Sequence, residues 1–390
     1  MHIVFFAHPL FLNHQSMPRF TNMLAEGMKG RGHTIEIWYP EPKATKMAFH
    51  LKLKKWFGYI DQFLIFPKEV REKLRFIPDN TLFVFSDQAL GPWVPLVKDR
   101  PHVIHCHDFL AQLSAFDKID EHRTSWSGKK YQKMIRDGFR KGQNFISVSN
   151  KTKDDLHDFL LSEPKRSEVI YNGLNQNFTA APKKTVRADL TKNFGVNLEN
   201  GYILHVGGNQ WYKNRVGVIE IYTAWRKYSK NSIPLILVGE SPNEGIKAIK
   251  ESSDYQKDIH FFTGVKDEKV RQFYAGGSAM LFPSLEEGFG WPIAEAMASG
   301  CPLITTDKAP MTEVAGDAGF LIKRRPTLEK IVEEWAEESA VVLENVVNMT
   351  DSELEKCIER GIDNANRFDA DEALGKIEKI YQTILKEGVL

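Results

Sequence analysis

Short unbroken apolar runs punctuate this chain, separated by stretches long enough to be helices. In the first half they fall at residues 2–7, 34–39, 81–85, 102–106, 145–148 and 168–171. In the second half they fall at 202–206, 234–238, 259–263, 279–282, 302–305 and 319–322. Runs this short and without polar alternation read as strands covered on both faces. Strands that alternate with helices build parallel sheets. Ser16 can cap a helix that runs through Met17-Pro18-Arg19 to about residue 31, where Gly32-His33 turns the chain into the second strand. Further helices are expected at 216–228, 268–275, 292–299 and 311–315, with long Glu- and Lys-rich ones from about residue 328 onward.

Residues 173–200 interrupt this alternation with turn-forming residues (Asn172-Gly173, Pro182-Lys183-Lys184, then 197–201) and read as a linker. The expected organisation is α/β, with two doubly wound, Rossmann-like domains at 1–172 and 201–371 facing a cleft. The terminal helix, 372–390, is expected to return to the first domain. Ligands of open α/β sheets bind at the carboxyl ends of the strands. That places a nucleotide-type ligand in the second domain and its partner substrate in the first.

Composition narrows the class. A chain of 390 residues with 42% hydrophobic and 26% charged residues has ample core for two domains. Its net charge of +1 argues against a dedicated nucleic-acid binder. That balance conceals an asymmetry: residues 1–172 carry 26 Lys+Arg against 19 Asp+Glu, and the remainder carries 26 against 32. The first half therefore favours an anionic partner or surface. Cys106, Cys301 and Cys357 show no paired spacing, so neither a disulfide frame nor a zinc site is indicated. The apolar start at 2–6 lacks a basic lead and a cleavage site and reads as a strand. With no apolar run of about 18 residues, the expected location is a reducing cytoplasm.

The densest chemistry lies in Pro283-Ser284-Leu285-Glu286-Glu287-Gly288-Phe289-Gly290-Trp291-Pro292-Ile293-Ala294-Glu295-Ala296-Met297. An apolar strand enters a glycine-broken loop and then a helix that can begin at Pro292, where a missing N–H costs nothing. Free backbone N–H groups and the positive end of the helix dipole suit a phosphate. Glu287 on the loop and Glu295 in the first helical turn suit the hydroxyls of a sugar attached to that phosphate. A second loop, Val206-Gly207-Gly208-Asn209-Gln210-Trp211-Tyr212-Lys213-Asn214-Arg215, offers close backbone approach at its glycines and cations at Lys213 and Arg215. A third, Gly264-Val265-Lys266-Asp267, leads into a helix.

These residues resemble the retaining family-4 (group 1) glycosyltransferases of GT-B fold, whose signature is a Glu, seven residues and a second Glu around E-G-F-G. Here the signature reads Glu287-Gly288-Phe289-Gly290-Trp291-Pro292-Ile293-Ala294-Glu295. Lys213-Asn214, Phe262-Thr263-Gly264-Val265, Gly300-Cys301-Pro302 and Glu313-Val314-Ala315-Gly316-Asp317 continue the similarity. So do Arg31-Gly32-His33, His105-Cys106-His107-Asp108 and Val148-Ser149-Asn150 in the first half. The resemblance implies that Glu287 meets the donor hexose and that Gly288, Phe289 and Gly290 offer backbone donors. Glu295 would hold the ribose, Lys213 would neutralise the diphosphate, and Gly207, Gly208, Asn209, Arg215 and Val265 would line the donor site. His107 would sit at the sugar's reacting face, and His105 is expected to point to the opposite face of its strand. The implied donor is a nucleotide-diphosphate sugar linked to uridine or guanosine. The implied acceptor is a glycan, a lipid-linked or a small molecule, with retention of configuration and no cofactor or metal.

Two departures from the family stand out. The glycine pair usual after the first strand is replaced by residues 13–19, where Ser16 and Arg19 are the substitutes at the helix start. Gly208 stands where the family has an arginine, which makes Arg215 or Arg19 the replacement cation. The lone Asp-x-Asp, Asp369-Ala370-Asp371, precedes the last helix and reads as its cap. The basic, aromatic residues 43–76, with Lys52, Lys54, Lys55, Trp56, Phe57, Phe63 and Phe66, admit two readings. Helices packing their aromatics inward are preferred over a peripheral surface for anionic lipid at the inner membrane face, because the local basic excess is modest. Two other functions fit the same architecture: a nucleotide-sugar 2-epimerase, which would turn over donor without acceptor, and a non-catalytic sugar-nucleotide binder.

Overall fold

The computed structural model describes residues 1–12, 16–47, 51–174 and 177–388; the side chains of Ser16 and of residues 51–53 lie outside that description. The chain forms two compact units, Met1–Gly173 with Ala370–Leu390, and Leu174–Asp369.

In the first unit β1 (His2–Phe6), β2 (Thr34–Trp38), β3 (Thr81–Phe85), β4 (His102–Cys106), β5 (Asn144–Ser147) and β6 (Arg166–Val169) form one parallel sheet in the order β2-β1-β3-β4-β5-β6. β3 and β4 are buried at every position, which is why their sequences lack polar alternation. One face packs Ile3, Phe5, Val84 and Val103 against Phe20, Leu24 and Met28 of helix Ser16–Gly30 and Leu374, Ile377 and Tyr381 of helix Ala370–Gly388. Each such side chain contributes about 1.5–3 kcal/mol on burial. On the other face Phe6 stacks on Phe85 at 4.6 Å and meets Phe66 edge-on at 6.1 Å.

Phe66 comes from residues 51–73, which are helical throughout: Leu51–Ile60, a π-turn at Asp61–Ile65, then Phe66–Lys73. Buried Asp61 accepts from Ala44 N (2.6 Å), Thr45 N (2.9 Å) and Thr45 Oγ1 (2.6 Å), tying the segment's inner face to the preceding loop. The preferred inward reading of the aromatics holds for Phe66, whereas Trp56 and Leu64 point to solvent at 65% and 61% exposure.

In the second unit β7 (Ile203–Gly207), β8 (Leu235–Gly239), β9 (Ile259–Thr263), β10 (Ala279–Phe282), β11 (Leu303–Thr306) and β12 (Phe320–Ile322) are again all parallel, in the order β12-β11-β10-β7-β8-β9. Val218, Tyr222 and Trp225 of helix Arg215–Tyr228 share a core with Trp335, Ala336 and Leu343 of helix Val332–Val347.

The stretch read as a linker differs from that expectation. It holds helix Lys183–Phe194, which belongs to the second unit: Lys183 Nζ donates to Gly277 O (3.0 Å) and Arg187 Nε to Gly276 O (2.8 Å). Only Val186 and Leu190 of this helix are buried, too few apolar positions to register as a helical period against the surrounding turn residues.

Each sheet reverses direction once. β1 lies between β2 and β3, and β7 between β8 and β10, so the connections that leave β1 and β3 lead toward opposite edges of their sheet, as do those that leave β7 and β10. A crevice at the carboxyl edge belongs at such a switch point.

Candidate functional sites at the two switch points

The loops that leave β7 and β10 are bolted together. Leu285 N donates to Tyr212 O (2.7 Å), and the Asn214 side chain donates to Pro283 O (2.8 Å) while capping helix Arg215–Tyr228 through Gly217 N (3.2 Å). Asn214 holds φ at 51°, a left-handed value that asparagine tolerates better than most residues. The turn delivers Lys213 to Glu287: Nζ lies 2.8 Å from Oε1 and 3.0 Å from Oε2, and Ser284 Oγ donates to Oε1 at 2.9 Å. Glu287 is 8% exposed, so this is a largely desolvated pair in which each charge depends on the other.

Beyond Glu287 the loop passes half-buried Gly288 and buried Phe289, whose ring meets Phe368 at 5.4 Å. It ends at Gly290, which takes φ 92° as the N-cap of helix Trp291–Ala298, with Pro292 in the first helical positions. Glu295 lies one turn in. Tyr274 donates to its Oε2 at 2.7 Å from helix Asp267–Gly276. Burial pushes the Glu295 carboxyl up to about 7, against the Tyr274 hydroxyl and Lys213, which pull it down; Asp267 adds to the rise. Burial beside this carboxylate also holds the Tyr274 phenol well above its usual range. Val265 is half-buried two residues before Asp267, on the loop after β9.

Gly207 and Gly239 face each other at the ends of β7 and β8. Half-buried Gly208 follows, and then Asn209, whose N–H donates to Glu240 Oε2 (2.9 Å) and whose side chain donates to Ser241 O (2.5 Å). Arg215 is not a surface cation. It is 2% exposed and donates from Nη1 to Asn209 Oδ1 (2.5 Å) and Glu240 O (2.9 Å), so it clamps the two loops; burial lowers its guanidinium to about 10, still charged at neutral pH. Lys213, Glu287 and Glu295 are thus brought together, Asn209 joins Arg215 one strand away, and Val265 lies on the Glu295 side.

In the first unit, His107 directly follows β4. Its Nε2 lies 2.8 Å from Ser86 O, so that nitrogen carries the proton, and its backbone N–H donates to Gln88 Oε1 at 2.9 Å. Burial lowers its pKa against Asp87 and the Ser86 bond, so the ring is neutral at pH 7 and its Nδ1 is an acceptor. His105 does not point the other way: Phe20 meets both imidazoles edge-on, at 5.5 Å and 4.3 Å. Residues two apart on a strand share a face. His105 bonds the Tyr381 hydroxyl at 2.6 Å, and burial with His107 nearby lowers it to about 3, which marks it as a core residue.

Sequence reasoning passed over His8 and Asp87, which follow β1 and β3 on either side of the switch. His8 Nε2 is 2.8 Å from Asp87 Oδ2, and Asp87 Oδ1 accepts from Ala89 N at 2.9 Å. Burial raises the Asp87 carboxyl, but His8 and then His107 outweigh it and the pKa is lowered. The signal was present in the sequence: both are polar residues just past apolar strands. Tyr274 was also missed, because it reaches Glu295 from a neighbouring helix, and Ser284 was given no role although it stands three residues before Glu287 in the same loop. Of residues 13–19, 13–15 lie outside the described residues; Ser16 begins helix Ser16–Gly30 and Arg19 is exposed on its first turn. Among the described residues no group of His, Cys, Asp and Glu is arranged to hold a metal ion, and no helix is long and apolar enough to cross a membrane.

Comparison with known proteins gives consistent matches in both halves. Residues 17–178 match the model for "Glycosyltransferase Family 4" and residues 186–356 that for "Glycosyl transferases group 1". O-antigen chain mannosyltransferase B of Escherichia coli is 32% identical over 123 residues, 31% of this chain and 32% of that protein. N-acetyl-alpha-D-glucosaminyl L-malate synthase of Bacillus anthracis is 23% identical over 258 residues, 65% of this chain and 63% of that protein. The matched segments thus span about a third and under two thirds of these relatives' lengths. Among solved structures, Anabaena HepE in complex with UDP and glucose superposes with a TM-score of 0.70 at 15% identity, covering 98% of this chain and 100% of HepE.

Proposed function

The chain belongs to the family 4, group 1 glycosyltransferases of GT-B fold, and from that premise we propose that it moves a hexose from a nucleotide-diphosphate sugar to a glycan, lipid-linked or small-molecule acceptor. The reading rests on one observation above the rest: Lys213 and Glu287 meet at the switch point of the second sheet, beside a helix N-terminus. Breaking a sugar–phosphate bond builds negative charge on the leaving diphosphate and positive charge on the anomeric carbon. Lys213, the N–H groups of 288–290 and the start of helix Trp291–Ala298 answer the first charge. Glu287 takes hexose hydroxyls, which replace Lys213 as its donors while the ammonium turns to phosphate. Glu295 accepts from the ribose. Arg215 sets the spacing of the glycine loop and lends positive potential from one strand away.

At the first unit's edge, neutral His107 offers Nδ1 to a sugar or acceptor hydroxyl. It is a hydrogen-bond acceptor, not an imidazolium. As in the retaining members of the family, the acceptor hydroxyl oxygen bonds to the anomeric carbon on the face from which the diphosphate departs and gives its proton to the leaving phosphate oxygen, which keeps the configuration; Lys213 and the backbone N–H groups stabilise the diphosphate in place of a metal. The relatives support the substrate class: one is a mannosyltransferase of O-antigen chains, and HepE was crystallised with UDP and glucose. Glycan synthesis from a uridine or guanosine donor is the corresponding activity here.

The test is transfer by Glu287→Gln and Lys213→Ala with chelator present throughout. Loss of roughly 100-fold or more in kcat/KM, with melting curves still cooperative, is expected. Wild-type rates in either variant sink the assignment. Steady conversion of the donor without acceptor assigns an epimerase instead.

A further inference from the structure

Two helices of the first unit turn apolar and basic side chains outward where solvent-facing helices ordinarily carry mixed charge. On the segment 51–73 the exposed positions are Trp56, Ile60 and Leu64, spaced four apart, with Lys54, Lys55 and Lys68 exposed alongside. On helix Trp126–Phe139 they are Trp126, Lys130 and Met134, again four apart, with the Lys130 ammonium 3.8 Å from the centre of the Trp126 ring. Trp126 is 72% exposed.

The two stripes belong to one surface. Trp56 meets Tyr59 at 6.0 Å, Tyr59 meets Tyr131 at 5.8 Å, and Phe63 meets Tyr131 at 6.1 Å, so an aromatic seam joins the helices beneath the exposed residues. The seam is firmly based. Asp61 fastens the first helix from below, and Ile135 and Phe139 are buried on the far side of the second. The same segment packs by Phe66 on Phe6, two residues before His8, so the surface adjoins the carboxyl edge of the first sheet.

We propose that this face docks on an anionic lipid bilayer, with Trp56, Leu64 and Trp126 entering the headgroup region and the lysines meeting lipid phosphates. Residues 43–76 contain nine Lys+Arg against three Asp+Glu, and helix Trp126–Phe139 four against one. A second copy of this chain is the weaker occupant, because a two-fold interface would set these lysines against themselves. An anionic surface complements them and lets the indoles sit where an apolar body and a polar tip are both accommodated.

The proposal does not rest on the sugar-transfer reading, and its test uses neither donor nor acceptor. The full chain is floated with phosphatidylcholine vesicles, with and without about 30% phosphatidylglycerol, at low salt and at about 0.5 M salt. Binding to the anionic vesicles alone, released by salt, is expected. Trp56→Ser with Leu64→Ser should lower the bound fraction about tenfold or more, and Lys54→Glu with Lys55→Glu should abolish the preference for anionic lipid. The lysine pair is fully surface-placed, so its fold is secure even if the apolar pair melts early. Failure to float, equal binding to neutral vesicles, or variants that float like the wild type overturn the proposal. So does a concentration-dependent dimer in sedimentation that Trp56→Ser dissolves, which would assign the face to a second copy.

Discussion

Lys213 and Glu287 are bonded to each other in the ligand-free chain, and this fixes how each responds to mutation. Lys213→Met leaves a carboxylate at 8% exposure with Ser284 as its remaining side-chain donor among the described residues, and removing one member of a buried pair costs roughly 3–5 kcal/mol. The double variant Lys213→Met, Glu287→Met should recover most of that loss in chemical denaturation while remaining unable to transfer sugar. Full additivity of the two losses would show that the pair does not depend on itself for stability. Glu295 makes a pH-dependent prediction. Its pKa, about 7 in the fold, lies above the ordinary glutamate value of 4.5, so the folded protein binds the extra proton near neutrality. Stability that the group contributes is present in acid and is lost as pH rises through about 7. Glu295→Gln should therefore melt above the wild type at about pH 8 and level with it at about pH 5. In the same sense, nucleoside diphosphate affinity should rise between about pH 6 and about pH 8, because the ionised carboxylate is the better acceptor for ribose hydroxyls, and Glu295→Gln should flatten that rise.

At the scale of elements, the central strands were legible because runs such as β3 (Thr81–Phe85) and β10 (Ala279–Phe282) are apolar and buried at nearly every position, as a parallel sheet covered on both faces demands, whereas the edge strand β6 (Arg166–Val169), largely polar and half-buried, only overlaps the run read at 168–171. The site loops were legible too, since glycines and charges cluster there without interruption. What escaped was set by contacts far apart in the chain. His8 meets Asp87 across 79 residues and Tyr274 meets Glu295 across 21, and neither pair has a local spacing to betray it. Helix Lys183–Phe194 escaped for want of apolar positions, and the π-turn at Asp61–Ile65 because the bonds that stabilise it come from Ala44 and Thr45. Helix Trp126–Phe139 offers a test of packing at this level. Its Gly138 lies so close to the Gln88–Leu96 turn that a Cβ would stand 2.1 Å from Gly91 O, backbone that has no side-chain freedom to yield. Gly138→Ala should destabilise by about 1–3 kcal/mol or more, read as a lower midpoint in urea with an unchanged slope.

At the scale of the whole molecule, the first unit is assembled from two separated pieces of chain. Helix Ala370–Gly388 supplies Leu374, Ile377, Tyr381 and Ile384 to its core. The same helix meets Arg31 with Asp371, His33 with Glu378 (2.8 Å) and Arg166 with Glu387 (2.8 Å). Four apolar side chains at about 1.5–3 kcal/mol each amount to roughly the entire stability of a domain. Ending the chain at residue 369 should leave the first unit unfolded by hydrogen exchange while the sheet of the second unit stays protected. Protection of β1 and β3 in the shortened chain would contradict that dependence.

The return of the last helix also orders events during synthesis. Residues 1–173 are made before the second unit, yet one face of their sheet is covered only in part, by helix Ser16–Gly30, until residues 370–388 have been translated. The second unit is complete by residue 369 and can close beforehand. Of the two units, the one begun first is therefore finished last, and for the time it takes to translate about 200 residues it presents the apolar ground of the missing helix to whatever chaperone attends the nascent chain.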